Sequence, residues 1–383
     1  MTALLVLAGV AAVALPWLSR QLEDAETPTT SLRPTQPPEQ VRAVSIDFGI
    51  VTDPSTDWSA VDARLDQVGA TTVDLNAGRT EFTAFDWPAH PEAAAESGTD
   101  HLAVASEALH STADGSTRQT NLIVDAFVPA WIESDPSIAG VDARGRRSPY
   151  TASAAQLAEG AVGERLVEYV TALGGRYDPN QIQITELFLD TYTYGADDLD
   201  LYRRMTGAAD WPRDANGSID TEASAIGVWR SEVLAGVMGR LRTALSAVRD
   251  GGGRDIGLVL DVRVNWSDPA AGRPMSGHDY TALLAAGVDL QLWVYIGRAD
   301  KPPTGVEKLT AGLASGGYDM SRFIVSVGLW AGEPDADPPG RITPEALRIA
   351  VEGAATNGIT AVGVTPCSLM TDAHWAALAA AWS

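Results

Sequence analysis

The sequence predicts a (β/α)8 TIM barrel of the α/β class that occupies residues 41–383 as one domain. Short β-branched runs alternate with longer alanine-rich stretches, and eight such runs occur after residue 40. Strands that alternate with helices form parallel βαβ units, and eight such units close into a barrel. A doubly wound open sheet is disfavoured, because no glycine-rich dinucleotide turn follows VSIDFGI and no GxxxxGKS or GxxxxGKT pattern occurs.

Each predicted strand is a short run in which Val, Ile and Leu predominate. The eight strands are predicted at residues 43–48, 71–75, 121–128, 182–189, 256–262, 288–295, 323–329 and 361–364. Helical patterns are predicted at residues 58–68, 99–111, 154–173, 225–248, 279–286, 305–315, 344–357 and 373–382. Long insertions follow strands two, three and four, and we predict that they form loops over the mouth of the barrel.

The first 40 residues differ in composition from the rest of the chain. Residues 3–18 are an apolar run, shorter than the roughly 20 residues of a transmembrane helix. We predict that residues 1–20 are a signal peptide or a membrane anchor, which leaves both alternatives open. Residues 21–40 are rich in Pro, Thr and Glu and are predicted to be a disordered linker. Either alternative predicts an extracytoplasmic protein, secreted or tethered to the membrane through residues 3–18.

Composition and charge restrict the classes of partner. Hydrophobic residues make up 45% and charged residues 20% of the chain, as in ordinary globular proteins. The formal net charge of −23 argues against a nucleic acid or an anionic membrane surface, since phosphate binding needs clustered Lys and Arg. A neutral or cationic ligand fits better. The alternative is that the acidity only keeps an exported protein soluble.

Several common chemistries lack their sequence patterns. The five histidines include no HExxH motif or paired ligand spacing, and no GxSxG elbow occurs. The single cysteine, Cys367, lies in an apolar context and is predicted to be a packing residue. We therefore predict neither a metal ion nor a cofactor.

Polar residues cluster where the predicted strands end, which is where barrel enzymes build their sites. In chain order they are Asp47, Asp74, Asn76, Arg79, Asp125, Trp131, Glu186, Asp190, Asp261, Arg263, Gln291, Trp293, Tyr295, Trp330 and Glu333. Unpaired buried carboxylates are unfavourable, so acids within apolar strands need a reason. One reason is catalysis. The alternative is a structural polar layer in which Arg79 and Arg263 pair with the acids at positions 47, 74, 125 and 261.

The fourth predicted strand carries two acids, Glu186 and Asp190. Alternation with period 2 places both on one face, about 13 Å apart at ~3.3 Å per residue. The catalytic partner of Asp190 is therefore expected on another strand. Aromatic residues in the following loop and at other strand ends are predicted to stack on sugar rings as walls of a cleft; they are Trp131, Tyr192, Tyr194, Trp211, Trp293, Tyr295 and Trp330.

Several segments resemble a known family. They are VSIDFGIVTDP, GATTVDLNAGR, LIVDAFVPAWI, FLDTYTYG and IGVWRSEVLAGVM. Together they resemble the glycoside-hydrolase-like (β/α)8 barrels of bacteria, related to the hydrolase domain of exported poly-N-acetylglucosamine processing proteins. The resemblance implies that Asp190, the first acid of the fourth-strand motif, is catalytic. Related motifs often have two adjacent acids, whereas this chain has Asp190-Thr191 and an additional Glu186.

Glycosidic cleavage needs a carboxylic acid that protonates the leaving oxygen and a second group that attacks or activates water. We predict Asp190 as the acid and Glu333 as the second carboxylate, with Glu186 and Asp261 as alternatives. The predicted function is hydrolysis of a bacterial polysaccharide. The alternative is a non-catalytic glycan-binding barrel in polysaccharide export or wall assembly. Asp190 within roughly 5–10 Å of a second carboxylate would favour hydrolysis, and Asp190 held by an arginine would favour binding.

Overall fold

A computed structural model describes residues 38–248, 255–333 and 340–383. Eight parallel strands form a closed barrel, which confirms the predicted fold class. Each strand pairs with the next in the sequence, and the first pairs with both the second and the eighth. The barrel strands are β1 (Val41–Ile46), β2 (Thr72–Arg79), β3 (Gln119–Asp125), β4 (Gln181–Thr185), β5 (Gly257–Arg263), β6 (Asp289–Val294), β7 (Phe323–Gly328) and β8 (Ala361–Thr365).

At least one helix follows each strand, and one after each strand is numbered here. These helices are α1 (Trp58–Gln67), α2 (His101–Leu109), α3 (Ala161–Tyr177), α4 (Ser224–Val248), α5 (Tyr280–Ala285), α6 (Gly305–Ser315), α7 (Pro344–Ala354) and α8 (Asp372–Trp382). In α3 the buried residues Val162, Leu166, Tyr169, Val170 and Leu173 recur at three- and four-residue spacing, which places them on the face toward the sheet. The strands are covered on both faces and therefore read as nearly continuous apolar runs, as in the fully buried β7.

The predicted strand at residues 182–189 is too long. β4 ends at Thr185, and Glu186 has a left-handed backbone with φ of 56° that breaks the extended conformation. Leu187 and Leu189 are apolar because they are buried beneath the loop, not because they extend the strand. The alternation that placed Glu186 and Asp190 on one face therefore does not apply.

The predicted helix at residues 154–173 is two helices. Ala154–Glu159 and α3 are separated by Gly160, whose backbone is extended. The loops predicted over the mouth are present after β2, β3 and β4. They include the short strand Phe82–Thr83, a hairpin formed by Ala139–Val141 and Arg147–Ala152, and the helix Ala196–Thr206.

The predicted signal peptide or anchor lies outside the described residues, and so does the predicted linker except for residues 38–40. Among the helices of the described ranges, none is both long enough and apolar enough to cross a membrane.

Candidate active site

A cavity of about 220 Å³ opens at the carboxyl-terminal ends of the strands. Eight of the sequence-predicted site residues line it, and they come from seven different strands or the loops directly after them: Asp47, Asn76, Asp125, Glu186, Asp261, Gln291, Tyr295 and Trp330. Four of these eight are acids. These residues lie together at the mouth of the barrel, but the two acids that the sequence analysis ranked first, Asp190 and Glu333, are not among them.

A larger cavity of about 440 Å³ lies at the opposite end of the barrel. It is bordered by turns that precede β2 and β3, and among the described residues that line it the charged ones are Asp66 and Asp114. Asp66 already accepts a hydrogen bond from Arg118 at 2.7 Å. We assign the site to the smaller cavity because the buried acids converge there and because barrel enzymes act at this end.

Glu186 is one of two acids that line the cavity and have a pKa raised to about 7; the other is Asp261. For Glu186, burial is the largest cause, and the negative charges of Asp125 and Asp261 act in the same direction. The positive charges of Arg263 and Arg79 oppose this shift. The left-handed φ of 56° at Glu186 is unfavourable for a residue with a side chain by ~1–3 kcal/mol. Strained backbone of this kind clusters at functional sites. A carboxyl that is partly protonated at neutral pH can donate a proton.

Asp125 lies beside Glu186 in a different environment. The last residue of β3, Asp125, pairs with Thr185, the last residue of β4, across parallel strands. The Arg79 guanidinium lies 2.9 Å from the Asp125 carboxylate. Burial raises the pKa of Asp125, and the charge of Arg79 opposes that shift. Two neighbouring carboxyl groups in different environments can differ in pKa. One can then be protonated and act as the general acid while the other is ionised.

Asp74 and Asp261 form a polar layer inside the barrel, but their partners differ from the prediction. Asp261 accepts hydrogen bonds from the Gln291 amide and the Trp293 indole, both at 2.9 Å. Asp74 accepts one from the Asn121 amide at 2.7 Å. Burial raises the pKa of Asp74 to about 6 and that of Asp261 to about 7. Amide and indole N–H groups therefore donate hydrogen bonds to these two carboxylates. The alternative in which each of them pairs with an arginine is wrong.

The hydrogen-bond donors for the Asp47 carboxylate lie near the carboxyl terminus of the chain. Asp47 accepts hydrogen bonds from the Ser368 backbone N–H at 3.0 Å and from the Ser368 hydroxyl at 2.9 Å. Its expected arginine partner is thus replaced by a serine that follows β8. Of the four acids predicted to pair with Arg79 or Arg263, Asp125 is the one that does so.

Asp190, the acid implied by the family resemblance, forms an ion pair with Arg263. The Arg263 guanidinium also lies over the Phe188 ring, 4.0 Å from its centroid. Asp190 does not line the cavity. An Asp190 held by an arginine was predicted to favour the glycan-binding barrel over hydrolysis, so this ion pair counts against Asp190 as the catalytic acid. Glu333, the predicted second carboxylate, is exposed and does not line the cavity either.

The predicted aromatic walls separate into two groups. Tyr295 and Trp330 line the cavity, with ring centroids 5.1 Å apart, and Trp293 contacts Tyr295 from outside the lining at a centroid distance of 5.8 Å. Trp211 is only 4% exposed and packs with Tyr194, which is also buried. Neither of these two rings presents a face to a ligand in this conformation, which corrects their assignment to the cleft wall.

Two further predicted aromatics lie away from the cavity lining. The Trp131 ring lies 5.0 Å from the Arg165 guanidinium on α3, and the Trp131 backbone N–H donates to Glu81 at 2.6 Å. Tyr192 packs against Gly140, where an added Cβ would lie 2.2 Å from the Tyr192 carbonyl oxygen.

The sequence analysis missed His278, a fully buried residue that connects two site elements. Its Nδ1 accepts a hydrogen bond from the Arg263 backbone N–H at 3.1 Å, so Nε2 donates to the Leu187 carbonyl at 3.1 Å. Burial lowers the pKa of His278 to about 4, which keeps the ring neutral. His278 thus fixes the loop after β4 relative to β5. No local pattern indicates this role, because the contact joins residues 91 positions apart.

Gly328 leaves space for the Tyr295 ring. A Cβ at Gly328 would lie 2.1 Å from Cδ1 of Tyr295, so Gly328→Ala forces the ring to move. We expect a destabilisation of ~1–3 kcal/mol, measured by urea unfolding. The matched control is Gly236→Ala on α4, where an added Cβ meets nothing within 4 Å and alanine favours the helix. Equal stability of the Gly328 variant and the wild type would contradict the inference that Gly328 leaves space for the Tyr295 ring.

Within the described ranges, no group of three or more His, Cys, Asp or Glu residues is arranged to hold a metal ion. The chain matches no family model and no curated protein sequence.

Several solved structures with the same fold are glycoside hydrolases. The PgaB (BpsB) glycoside hydrolase domain from Bordetella bronchiseptica superposes with a TM-score of 0.67 at 16% identity, over 90% of this chain and 99% of that one. The catalytic domain of beta-amylase from Paenibacillus polymyxa gives 0.58 at 12% identity, over 88% and 94%. A beta-galactosidase from Marinomonas ef1 gives 0.60 at 14% identity, over 89% of this chain and 59% of that one. The protein therefore shares its closed (β/α)8 barrel with glycoside hydrolases of several kinds.

Proposed function

We propose that this protein is an extracytoplasmic glycoside hydrolase that cleaves a bacterial polysaccharide, with Glu186 as its general acid. The observation that supports this most is Glu186 itself. It combines a left-handed backbone, a place in the cavity lining and a pKa raised to about 7. A general acid needs a pKa near the working pH, because it must be protonated and still give up its proton. The shared fold with several glycoside hydrolases agrees with this proposal.

In the proposed reaction Glu186 donates its proton to the glycosidic oxygen. The bond between that oxygen and the anomeric carbon breaks, and its electron pair stays on the leaving oxygen. Asp125, which Arg79 favours in its charged form, attacks the anomeric carbon or removes a proton from an attacking water. Asp261 is the alternative for this second role, because it also lines the cavity.

We base the proposed substrate on the net charge of the protein and the proposed location on the apolar residues near the amino terminus. A net charge of −23 favours a neutral or cationic sugar polymer over an anionic one. The apolar run at residues 3–18 supports export or tethering to the membrane. We therefore place the substrate among cell-surface polysaccharides, of which β-linked amino-sugar polymers are the first candidates.

A non-catalytic glycan-binding barrel is the second candidate. The ion pair between Asp190 and Arg263 supports it, because the carboxylate that the family resemblance implies to be catalytic is held by an arginine. In that case the cavity acids would accept hydrogen bonds from sugar hydroxyls without breaking a bond.

Release of reducing ends from purified polysaccharides separates the two candidates. The full chain is incubated with polymers of β-linked glucosamine, with polymers of N-acetylglucosamine and with other bacterial cell-surface glycans. Catalytic release from at least one polymer is the expected result. Saturable binding without release from any polymer would favour the non-catalytic barrel.

The proposed acid also predicts a pH dependence. Because Glu186 must be protonated to act, kcat/KM should fall as the pH rises through about 7. The charge of Asp261 contributes to the raised pKa of Glu186, so Asp261→Asn should shift this decline to lower pH. Initial rates across the pH range measure both effects. Asp319→Asn, at an exposed turn before β7, is the control that should leave the profile unchanged. A decline at the same pH in the Asp261 variant would contradict the assignment.

A further inference from the structure

Six aromatic side chains form a continuous row across the mouth of the barrel, from the hairpin after β3 to the end of β7. Successive ring centroids lie 5.8, 6.0, 6.3, 5.8 and 5.1 Å apart. We call this set the aromatic row; in order it consists of Tyr150, Phe127, Phe188, Trp293, Tyr295 and Trp330. Its first four members lie outside the cavity lining, and the first three were not predicted from the sequence as site residues.

The aromatic row is accessible to solvent along its length. None of its members is fully buried, and Tyr150 at the outer end is 54% exposed. Among the large hydrophobic side chains that are exposed in the described ranges, Tyr150 is the only aromatic one. Of the other three, Val104 and Val228 lie on α2 and α4 outside the barrel, and Met205 lies on the helix Ala196–Thr206 in the loop after β4. A connected aromatic surface that is partly exposed to solvent indicates a binding site.

The inner end of the aromatic row reaches the proposed catalytic acids. Tyr295 and Trp330 line the cavity, and the Trp293 indole donates a hydrogen bond to Asp261 at 2.9 Å. Its outer end at Tyr150 lies four ring contacts from Tyr295. A single sugar ring cannot cover both ends. A ligand that uses the whole surface must therefore be a chain.

We infer that the aromatic row binds a chain of several β-linked hexopyranose residues, with one residue in the cavity and others extending toward Tyr150. Flat amphipathic rings stack on the apolar faces of pyranoses. Stacked nucleic-acid bases are disfavoured, since the guanidinium on the row, Arg263, is paired with Asp190 and the protein carries a net charge of −23. This inference rests on the proposed function and deepens it, because it assigns the residues that bind the sugars of the polymer outside the cavity.

Binding in the absence of turnover tests this inference. The Glu186→Gln protein is titrated by calorimetry with disaccharides and hexasaccharides of β-linked glucosamine, N-acetylglucosamine and glucose. At least one hexasaccharide should bind more tightly than its disaccharide. Adding Tyr150→Ala should weaken that hexasaccharide by about 3- to 10-fold and leave the disaccharide unchanged. The control is Val228→Ala, a truncation of an equally exposed apolar side chain on α4.

Three results would overturn the inference: no hexasaccharide binds, hexasaccharides bind no more tightly than disaccharides, or Tyr150→Ala binds the hexasaccharide as tightly as the parent does. Failure of the proposed function is distinguishable from these results. A wild-type protein that releases no reducing ends, yet shows length-dependent affinity that Tyr150→Ala removes, would refute hydrolysis and support the aromatic row.

Discussion

Replacing Glu186 by Gln is expected to lower kcat/KM on a polysaccharide by about 10²–10⁴-fold, the usual contribution of a general acid. The amide retains the size of the side chain but has no acidic proton for the leaving oxygen. An aryl glycoside with a good leaving group needs little protonation, so its cleavage should be much less impaired. Steady-state rates on both substrates measure this difference.

The matched control is Glu232→Gln, an identical substitution at an exposed position on α4. It should leave both rates unchanged. Equal losses on polysaccharide and aryl glycoside would show that Glu186 is not the acid. Asp190→Asn compares the two acids of the β4 segment directly. A loss larger than that of Glu186→Gln would return the acid role to Asp190, as the family resemblance implied.

The barrel could be predicted from sequence because its signal is repeated. Each strand is buried on both faces and each helix on one, so the same alternation of apolar patterns recurs eight times along the chain. The acids at strand ends were predictable for the same reason. Once the strands are placed, Asp125 and Asp261 must lie at the mouth.

The ranking of the acids was not predictable, because it depends on contacts between distant residues. The segment after Thr185 is apolar and reads as a continued strand, but the φ of 56° at Glu186 turns the chain there. That turn is fixed by His278, whose ring contacts the Leu187 carbonyl, and by Leu189, whose N–H donates to the Ser276 carbonyl at 3.0 Å. None of these contacts follows from local propensity.

The burial of the aromatic residues also depends on distant contacts and was not predictable from the sequence. Trp211, in the loop after the fourth predicted strand, and Trp293, near the end of the sixth, were both predicted to line the cleft. Trp293 lies at the end of β6 and donates to a cavity acid, whereas Trp211 lies in the long loop after β4 and is buried among Tyr194, Tyr202 and Trp229. A loop of this length can form a small hydrophobic core of its own, and its aromatic side chains are then buried in that core. The length of an insertion therefore weakens any prediction that its tryptophans face a ligand.

Replacing Arg118 by Met is expected to destabilise the protein by about 3–5 kcal/mol, the effect of removing one partner from a buried ion pair. The Arg118 side chain is 0% exposed and lies 2.8 Å from the Asp62 carboxylate and 2.7 Å from that of Asp66, both on α1. It also donates to the Ala70 carbonyl at 3.2 Å and the Leu109 carbonyl at 2.5 Å. One guanidinium thus joins α1, the start of β2 and the end of α2 to β3.

Methionine retains much of the volume of Arg118, so the loss should come mainly from unpaired polar groups and not from a cavity. Arg348→Met is the matched control, because Arg348 also pairs with two carboxylates, those of Glu345 and Glu352, but on the exposed surface of α7. Exposed pairs contribute about 0–1 kcal/mol. Urea unfolding with unchanged m-values compares the two variants. If both lose the same small amount, burial does not distinguish the two arginines, and Arg118 does not stabilise this end of the barrel.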